Sequence, residues 1–194
     1  MLKTTLTFLF SLFIGLAAQA QSADSVYNKY LDFNLARFQG EQDKVVELGE
    51  SLIPVADKLP EKARINFYFS IGKMYEDNDE AAKAIPYYEK VAIAVPDYYV
   101  VHRALGYLYL DEVKAAEEKL NTSNNKTANE QAYRDLIKKT LPQLEKAQAC
   151  DPSDGTLDII KSLYQKLNDT QGLSTLNSRL KELSRNCIDI LTDR

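Results

Sequence analysis

The sequence predicts an all-α fold, an α-solenoid of antiparallel helix pairs, and three observations carry that prediction. First, the chain nearly copies itself 56 residues apart: AIPYYEKVAIAVPD at 84–97 returns as TLPQLEKAQACDPS at 140–153. Pro86, Glu89, Lys90 and Pro96 thereby fall on Pro142, Glu145, Lys146 and Pro152. Second, each copy follows a helical segment with a Gly-x-x-Tyr core, Gly72 to Tyr75 and Gly106 to Tyr109. Third, Gly is scarce (7 of 194 residues), Ala, Leu, Lys, Glu and Gln abound, and no stretch alternates apolar with polar residues as a half-buried strand would. Repeats of this kind stack, because a single hairpin cannot bury its own apolar face.

The first segment stands apart. Met-Leu-Lys3 precedes an apolar run of 13 residues from Leu6 to Ala18, and Ala18-Gln19-Ala20 follows with the small-x-small pattern of a cleavage site. The run is well short of the roughly 20 residues that span a bilayer. Residues 1–20 are therefore expected to be a signal peptide, with export to the periplasm or secretion beyond it. Gln21 stands where a lipid-anchored protein needs Cys. The expected mature chain, 21–194, is one domain whose formal charge moves from −4 to −5 on loss of Lys3. No later apolar run could span a membrane, so no span is expected after signal removal. The acidic balance disfavours nucleic acid, which needs a concentrated basic face.

Turn-forming residues divide the rest. Breaks fall at Phe38-Gln39-Gly40, Lys58-Leu59-Pro60, 76–79, Val95-Pro96-Asp97, 121–125, 151–155 and Asn168-Asp169. They delimit units at about 29–64, 65–98 and 99–154 and a terminal pair at 155–194. The first unit is marked by Leu35-Ala36, Leu48, Leu52, Val55 and Pro60. The last is predicted as helices over 157–167 and about 170–186, and it keeps Ile160 and Tyr164 but lacks the small residues. It has the character of the polar-faced end cap an open stack requires.

The second unit, 65–98, carries Tyr68, Ile71-Gly72 and Tyr75 on its first helix, then Ala84, Tyr88, Val91 and Pro96 on its second. In this it resembles the tetratricopeptide repeat family, which uses about 34 residues per helix pair. Only Val91 departs, being larger than the Ala usual there. Leu105-Gly106, Tyr109, Leu144, Ala147 and Pro152 repeat the pattern in the third unit, with His102 where a large apolar residue is usual. The resemblance implies a right-handed solenoid that holds a peptide or protein on the concave face lined by the first helix of each pair. On that register the partner-binding residues are Tyr30, Phe33, Asn34, Arg37, Asn66, Phe69, Ser70, Lys73, Arg103, Ala104 and Tyr107. Aromatics interleaved with Arg and Lys suit a peptide with apolar anchors and a carboxylate. Phe33, Ser70, Val100 and Ala104 fall where relatives that clamp chaperone C-termini need Lys and Asn, so that clamp is not expected.

The third unit is 22 residues longer than the second (56 less 34), and the excess lies between Glu112 and Thr140. Val113, Ala116 and Leu120 form one outgoing stripe; Ala132, Tyr133, Leu136 and Ile137 form the returning one. An equal division adds about 11 residues, or three turns, to each helix, which preserves helical phase. The expected product is a long hairpin over 113–139, about 16 Å longer per arm. It offers a second functional reading, in which the protein is an assembly subunit of an envelope or secretion complex and docks through that hairpin.

Nothing in the sequence marks chemistry. His102 is the single histidine and has no nucleophile, acid or further ligand at helical spacing. Phosphate-loop, dinucleotide and metalloprotease motifs are absent, and the acidic turn Asp77-Asn78-Asp79-Glu80 lacks the spaced ligands of a calcium loop. The expectation is a non-enzymatic protein with no cofactor and no metal. Cys150 and Cys187, the two cysteines, allow one disulfide from the end of a second helix to the end of the cap, and the sequence leaves open whether it forms.

Overall fold

The computed structural model describes residues 22–122 and 126–192. The expected signal segment 1–20 and the centre of the polar loop, 123–125, lie outside them. The described residues form eight α-helices and no strand: α1 (Ala23–Gln39), α2 (Gln42–Leu52), α3 (Glu61–Asp77), α4 (Ala81–Ala94), α5 (Tyr99–Thr122), α6 (Lys126–Cys150), α7 (Asp154–Leu167) and α8 (Thr170–Leu183). A 3-10 turn, Ile53–Lys58, joins α2 to α3.

Local chemistry sets the ends. The Ser22 hydroxyl accepts from the Ser25 N–H at 3.2 Å to start α1, and Gly40 stops it in the left-handed region at φ 74°. Asn168 ends α7 in the same region at φ 56°, and the Asp169 carboxylate accepts from the Gly172 N–H at 2.7 Å to start α8. Pro54 differs from the expected course. It stands at the start of the 3-10 turn, and α2 ends at Leu52 rather than running on through Val55. The last helix likewise ends at Leu183, not near Asn186, and residues 184–192 leave the helical register.

Helices α3 and α4 pair antiparallel. In α3·α4 the Tyr75 and Tyr87 rings stack at 5.9 Å, while Lys90 near the far end of α4 lies over Tyr68 at 4.7 Å. Close approach depends on glycine. A Cβ on Gly72 would sit 2.6 Å from the Tyr88 ring, and one on Gly106 would sit 2.6 Å from Leu144 Cδ2 and 3.2 Å from the Leu144 backbone nitrogen. Successive pairs are joined the same way twice. Tyr109 of α5 donates its hydroxyl to Glu89 of α4 at 2.5 Å, and Tyr164 of α7 donates to Glu145 of α6. Burial, followed by the carboxylate contact, pushes both phenols far above their ordinary value. Two apolar clusters result. One runs from Val26 to Tyr109 through α1–α5; the other joins the outer parts of α5 and α6 to α7 and α8.

The long hairpin has the expected dimensions. Helix α3 runs 5 residues past Gly72 and α5 runs 16 past Gly106; α4 begins 5 residues before Pro86 and α6 begins 16 before Pro142. Each arm is therefore 11 residues longer than its counterpart, three turns that leave the apolar stripes in phase. Val113, Tyr133 and Ile137 are buried, whereas Ala132, expected on the inner stripe, is exposed.

Candidate binding surface

Helices α1 and α3 lie side by side and present polar and aromatic side chains at helical spacing. Tyr30, Asn34 and Arg37 follow one stripe of α1; Asn66, Phe69 and Ser70 follow one stripe of α3. These six residues of the predicted surface line a single cavity of about 480 Å³ together with Tyr98. Phe69 packs edge-on against the Tyr98 ring at 5.2 Å and against Tyr88 at 5.7 Å, so its ring is fixed. Arg37 Nη1 donates to Asn34 Oδ1 at 3.1 Å, and its guanidinium lies 5.6 Å from the Phe33 ring. Among the described residues no carboxylate stands within ion-pair distance of Arg37. The Tyr98 phenol is pushed up to about 12, first by burial and then by its neighbours Tyr99 and Asp189.

The other five predicted residues are placed elsewhere. Phe33 is fully buried, edge-on to Phe67 at 5.4 Å, and belongs to the core. Tyr30, one turn earlier, is buried in the same cluster and reaches the cavity from its edge. Lys73 is exposed and bonded to Asp77 of its own helix. Arg103 is paired with Asp151 at the end of α6 and lies over the Tyr99 ring. Ala104 packs against the first core cluster, and Tyr107 shares a 2.9 Å hydrogen bond with Thr156 of α7. The surface predicted as one stripe is thus a cavity on α1–α3 and a separate set of contacts binding α5 to α6 and α7.

The C-terminal tail completes the cavity. Asp189, Ile190 and Leu191 are part of its lining. Ile188 pairs with Tyr98 in an isolated parallel bridge: the Ile188 N–H donates to the Asp97 carbonyl at 2.8 Å, and the Tyr99 N–H donates to the Ile188 carbonyl at 3.1 Å. Just before it, Cys187 is disulfide-bonded to Cys150, with Cα atoms 5.6 Å apart at a sequence separation of 37. The buried Lys146 reaches the same place. Its ammonium donates to Asp97 Oδ1 at 2.8 Å, to the Leu183 carbonyl at 3.3 Å and to the Asn186 carbonyl. The two cysteines were the one signal in the sequence that this end of the chain folds back.

The hairpin offers a second surface. An open cleft of about 430 Å³ lies between its arms, lined by Glu112, Ala115, Ala116, Lys119, Ala132 and Leu136 among others. Its opposite side is covered. Lys166 of α7 pairs with Glu117, Tyr133 donates to Glu117 at 3.2 Å, and Arg134 donates to the Leu167 carbonyl at 3.1 Å. The arms therefore do not project freely, since α7 packs along them.

His102 is structural in its contacts. Its Nδ1 lies 2.6 Å from Gln143 Oε1 and its Nε2 lies 3.0 Å from the Pro96 carbonyl, which ties α5 to α6 and to the proline turn. Burial lowers its pKa against the opposing pull of these two bonds. Among the described residues no group of His, Cys, Asp and Glu is arranged to hold a metal ion, and no helix is long and apolar enough to cross a membrane. Compared with family models, curated proteins and solved structures, the chain matches none.

Proposed function

We propose that this chain is an exported, non-enzymatic helical-repeat protein of tetratricopeptide type, right-handed in its stacking, that binds an extended peptide segment of a partner across the α1–α3 face. The observation that carries the reading is the tail laid along the cavity. A stretch of extended polypeptide already forms one wall of it, held by main-chain hydrogen bonds to Asp97 and Tyr99. Main-chain pairing supplies affinity for any extended segment, and the flanking side chains supply selectivity. The fixed Phe69 ring offers an apolar anchor, while Asn34, Asn66 and Arg37 offer amide and guanidinium donors. The repeat spacing supports the family, and the Cys150–Cys187 disulfide suits an oxidising compartment.

Peptide-display selection tests this on two forms, the complete chain and a chain ending at Cys187. The reading expects at least one form to select related sequences, and expects Phe69→Ala or Asn66→Ala to abolish their binding. Selection of nothing by either form, or of peptides indifferent to both substitutions, would remove it.

The open cleft between the hairpin arms supports the second reading, docking into a larger assembly through 113–139. Replacing Ala115 and Ala132 by Arg should then end incorporation into that assembly while peptide binding at the α1–α3 face continues.

A further inference from the structure

The tail's position says what kind of peptide the face accepts. Residues 188–191 read Ile-Asp-Ile-Leu. Ile188 provides the two main-chain bonds to Asp97 and Tyr99. Leu191 packs half-buried against the first core cluster. Asp189 enters the lining of the cavity that also holds Arg37, which has no carboxylate partner among the described residues. Ile190 is 68 % exposed, so the segment is seated by one side and open to replacement from the other. A second, smaller cavity of about 160 Å³ persists beside it, between Ile65, Asn66, Val95 and the tail, so the tail fills the site only in part.

We propose that residues 188–192 are an intramolecular ligand of the α1–α3 face. They occupy the site in the resting protein, and the external partner is an extended peptide of the same pattern, aliphatic-acidic-aliphatic-aliphatic. The inference rests on the peptide-binding reading above and adds both the partner's chemistry and a control on its access. The disulfide makes the competition effective. Cys187 immediately precedes the seated segment, so the tail is held at an effective concentration on the order of millimolar or more. Against a segment whose own dissociation constant is about 100 μM, that suppresses an external peptide by about tenfold. Lys146 strengthens the hold by fixing the Asn186 carbonyl and the Asp97 side chain at the point where the tail joins the turn.

The probe is a fluorescent peptide Ile-Asp-Ile-Leu-Thr-Asp-Arg, copied from 188–194 and titrated by anisotropy. Two proteins with an empty site are compared with the complete oxidised chain. One ends at Cys187. The other is full-length with Ile188→Pro and Leu191→Asp, which removes the N–H donated to Asp97 and places a charge on the apolar contact; it covers the case in which truncation unfolds the protein. Circular dichroism confirms the helices of both. The proposal expects the probe to bind either open form at least about tenfold more tightly than the complete chain. It also expects Phe69→Ala in the open form to remove binding, and a probe with Asn for its first Asp to bind several-fold more weakly. Equal binding to open and complete chains would overturn the intramolecular ligand while leaving the peptide-binding face intact. No binding to any form would overturn it as well, and the display selection on the same proteins would then decide separately whether the face binds peptides at all.

Discussion

The Glu-Lys pair at 89–90 and its copy at 145–146 occupy one register of two equivalent helices, yet they live in different surroundings. Both glutamates accept a tyrosine hydroxyl from the next helix, Tyr109 on Glu89 and Tyr164 on Glu145. The lysines diverge. Lys90 is exposed and lies over the Tyr68 and Tyr87 rings at 4.7 and 5.4 Å. Lys146 is 5 % exposed and holds Asp97, the Leu183 carbonyl at the end of α8 and the Asn186 carbonyl of the tail. The repeat fixes where a side chain points; what comes to cover it decides its work. Around the second unit nothing covers Lys90, so it stays a surface cation with an aromatic neighbour. Around the third, the returning tail covers Lys146 and turns it into a clamp.

The largest expected effect breaks the third unit and its tail alone. The disulfide closes a loop of 37 residues, for which the chain-entropy estimate is roughly 4 kcal/mol and typical measured values run about 2–4. Cys150→Ser with Cys187→Ser should lower urea stability by that order. Amide exchange should quicken first in the tail and α8 while α3 and α4 keep their protection. Uniform quickening across both units would mean that the staple does not act locally.

Next comes the lysine pair itself. Lys146→Met leaves a partly buried carboxylate and two carbonyls without their donor and should cost about 1.5–3 kcal/mol. Lys90→Met gives up only an exposed contact with aromatic faces, worth about 0.5–1 kcal/mol. Equal losses in denaturant midpoints would show that burial does not separate the two copies.

The matched glycines sharpen the comparison in the opposite direction. Gly72→Leu and Gly106→Leu should each cost about 1–3 kcal/mol through overpacking. Gly106 should be the worse, because the new side chain meets the α6 backbone at Leu144 as well as its side chain, whereas at Gly72 the closest atoms are all of the Tyr88 side chain. Thermal melts of the two variants decide the order.

Smallest under ordinary conditions is the pH response, which both units share. Burial, followed by the glutamate contacts, raises Tyr109 and Tyr164 above their ordinary value, and Tyr98 is raised to about 12. In the unfolded chain these phenols ionise near about 10. A folded pKa above the unfolded one means stability is fully present below about pH 10 and is lost as pH rises through the folded values. Urea midpoints should therefore be flat from pH 8 to the unfolded phenol value and fall above it, in step with the tyrosinate absorbance.

Much of this was legible. Helix boundaries followed turn residues such as Gly40 and Asn168, because their left-handed backbone is written in residue type. The 11-residue lengthening of each arm followed from counting between the two copies, since helical phase is arithmetic. The α1–α3 cavity was legible only in part. Six of its residues were placed by register, but Phe33 turned inward, and Arg103 and Tyr107 found partners on α6 and α7 that their own helix could not reveal. The tail was not legible. A contact between Ile188 and Tyr98 spans about ninety positions, and two apolar residues around one Asp are too short a pattern to mark a strand. Nor could sequence show that Lys146, identical in type to Lys90, would be buried.

The most direct test is hydrogen exchange resolved at the Ile188 amide, whose bond to the Asp97 carbonyl seats the tail. In the native oxidised chain this amide should exchange far more slowly than an open-chain amide, and in Lys146→Met it should approach the open-chain rate while amides of α3 and α4 stay protected. An Ile188 amide that already exchanges at the open-chain rate in the native protein would contradict the account, because the tail would then not lie where the disulfide and Lys146 hold it.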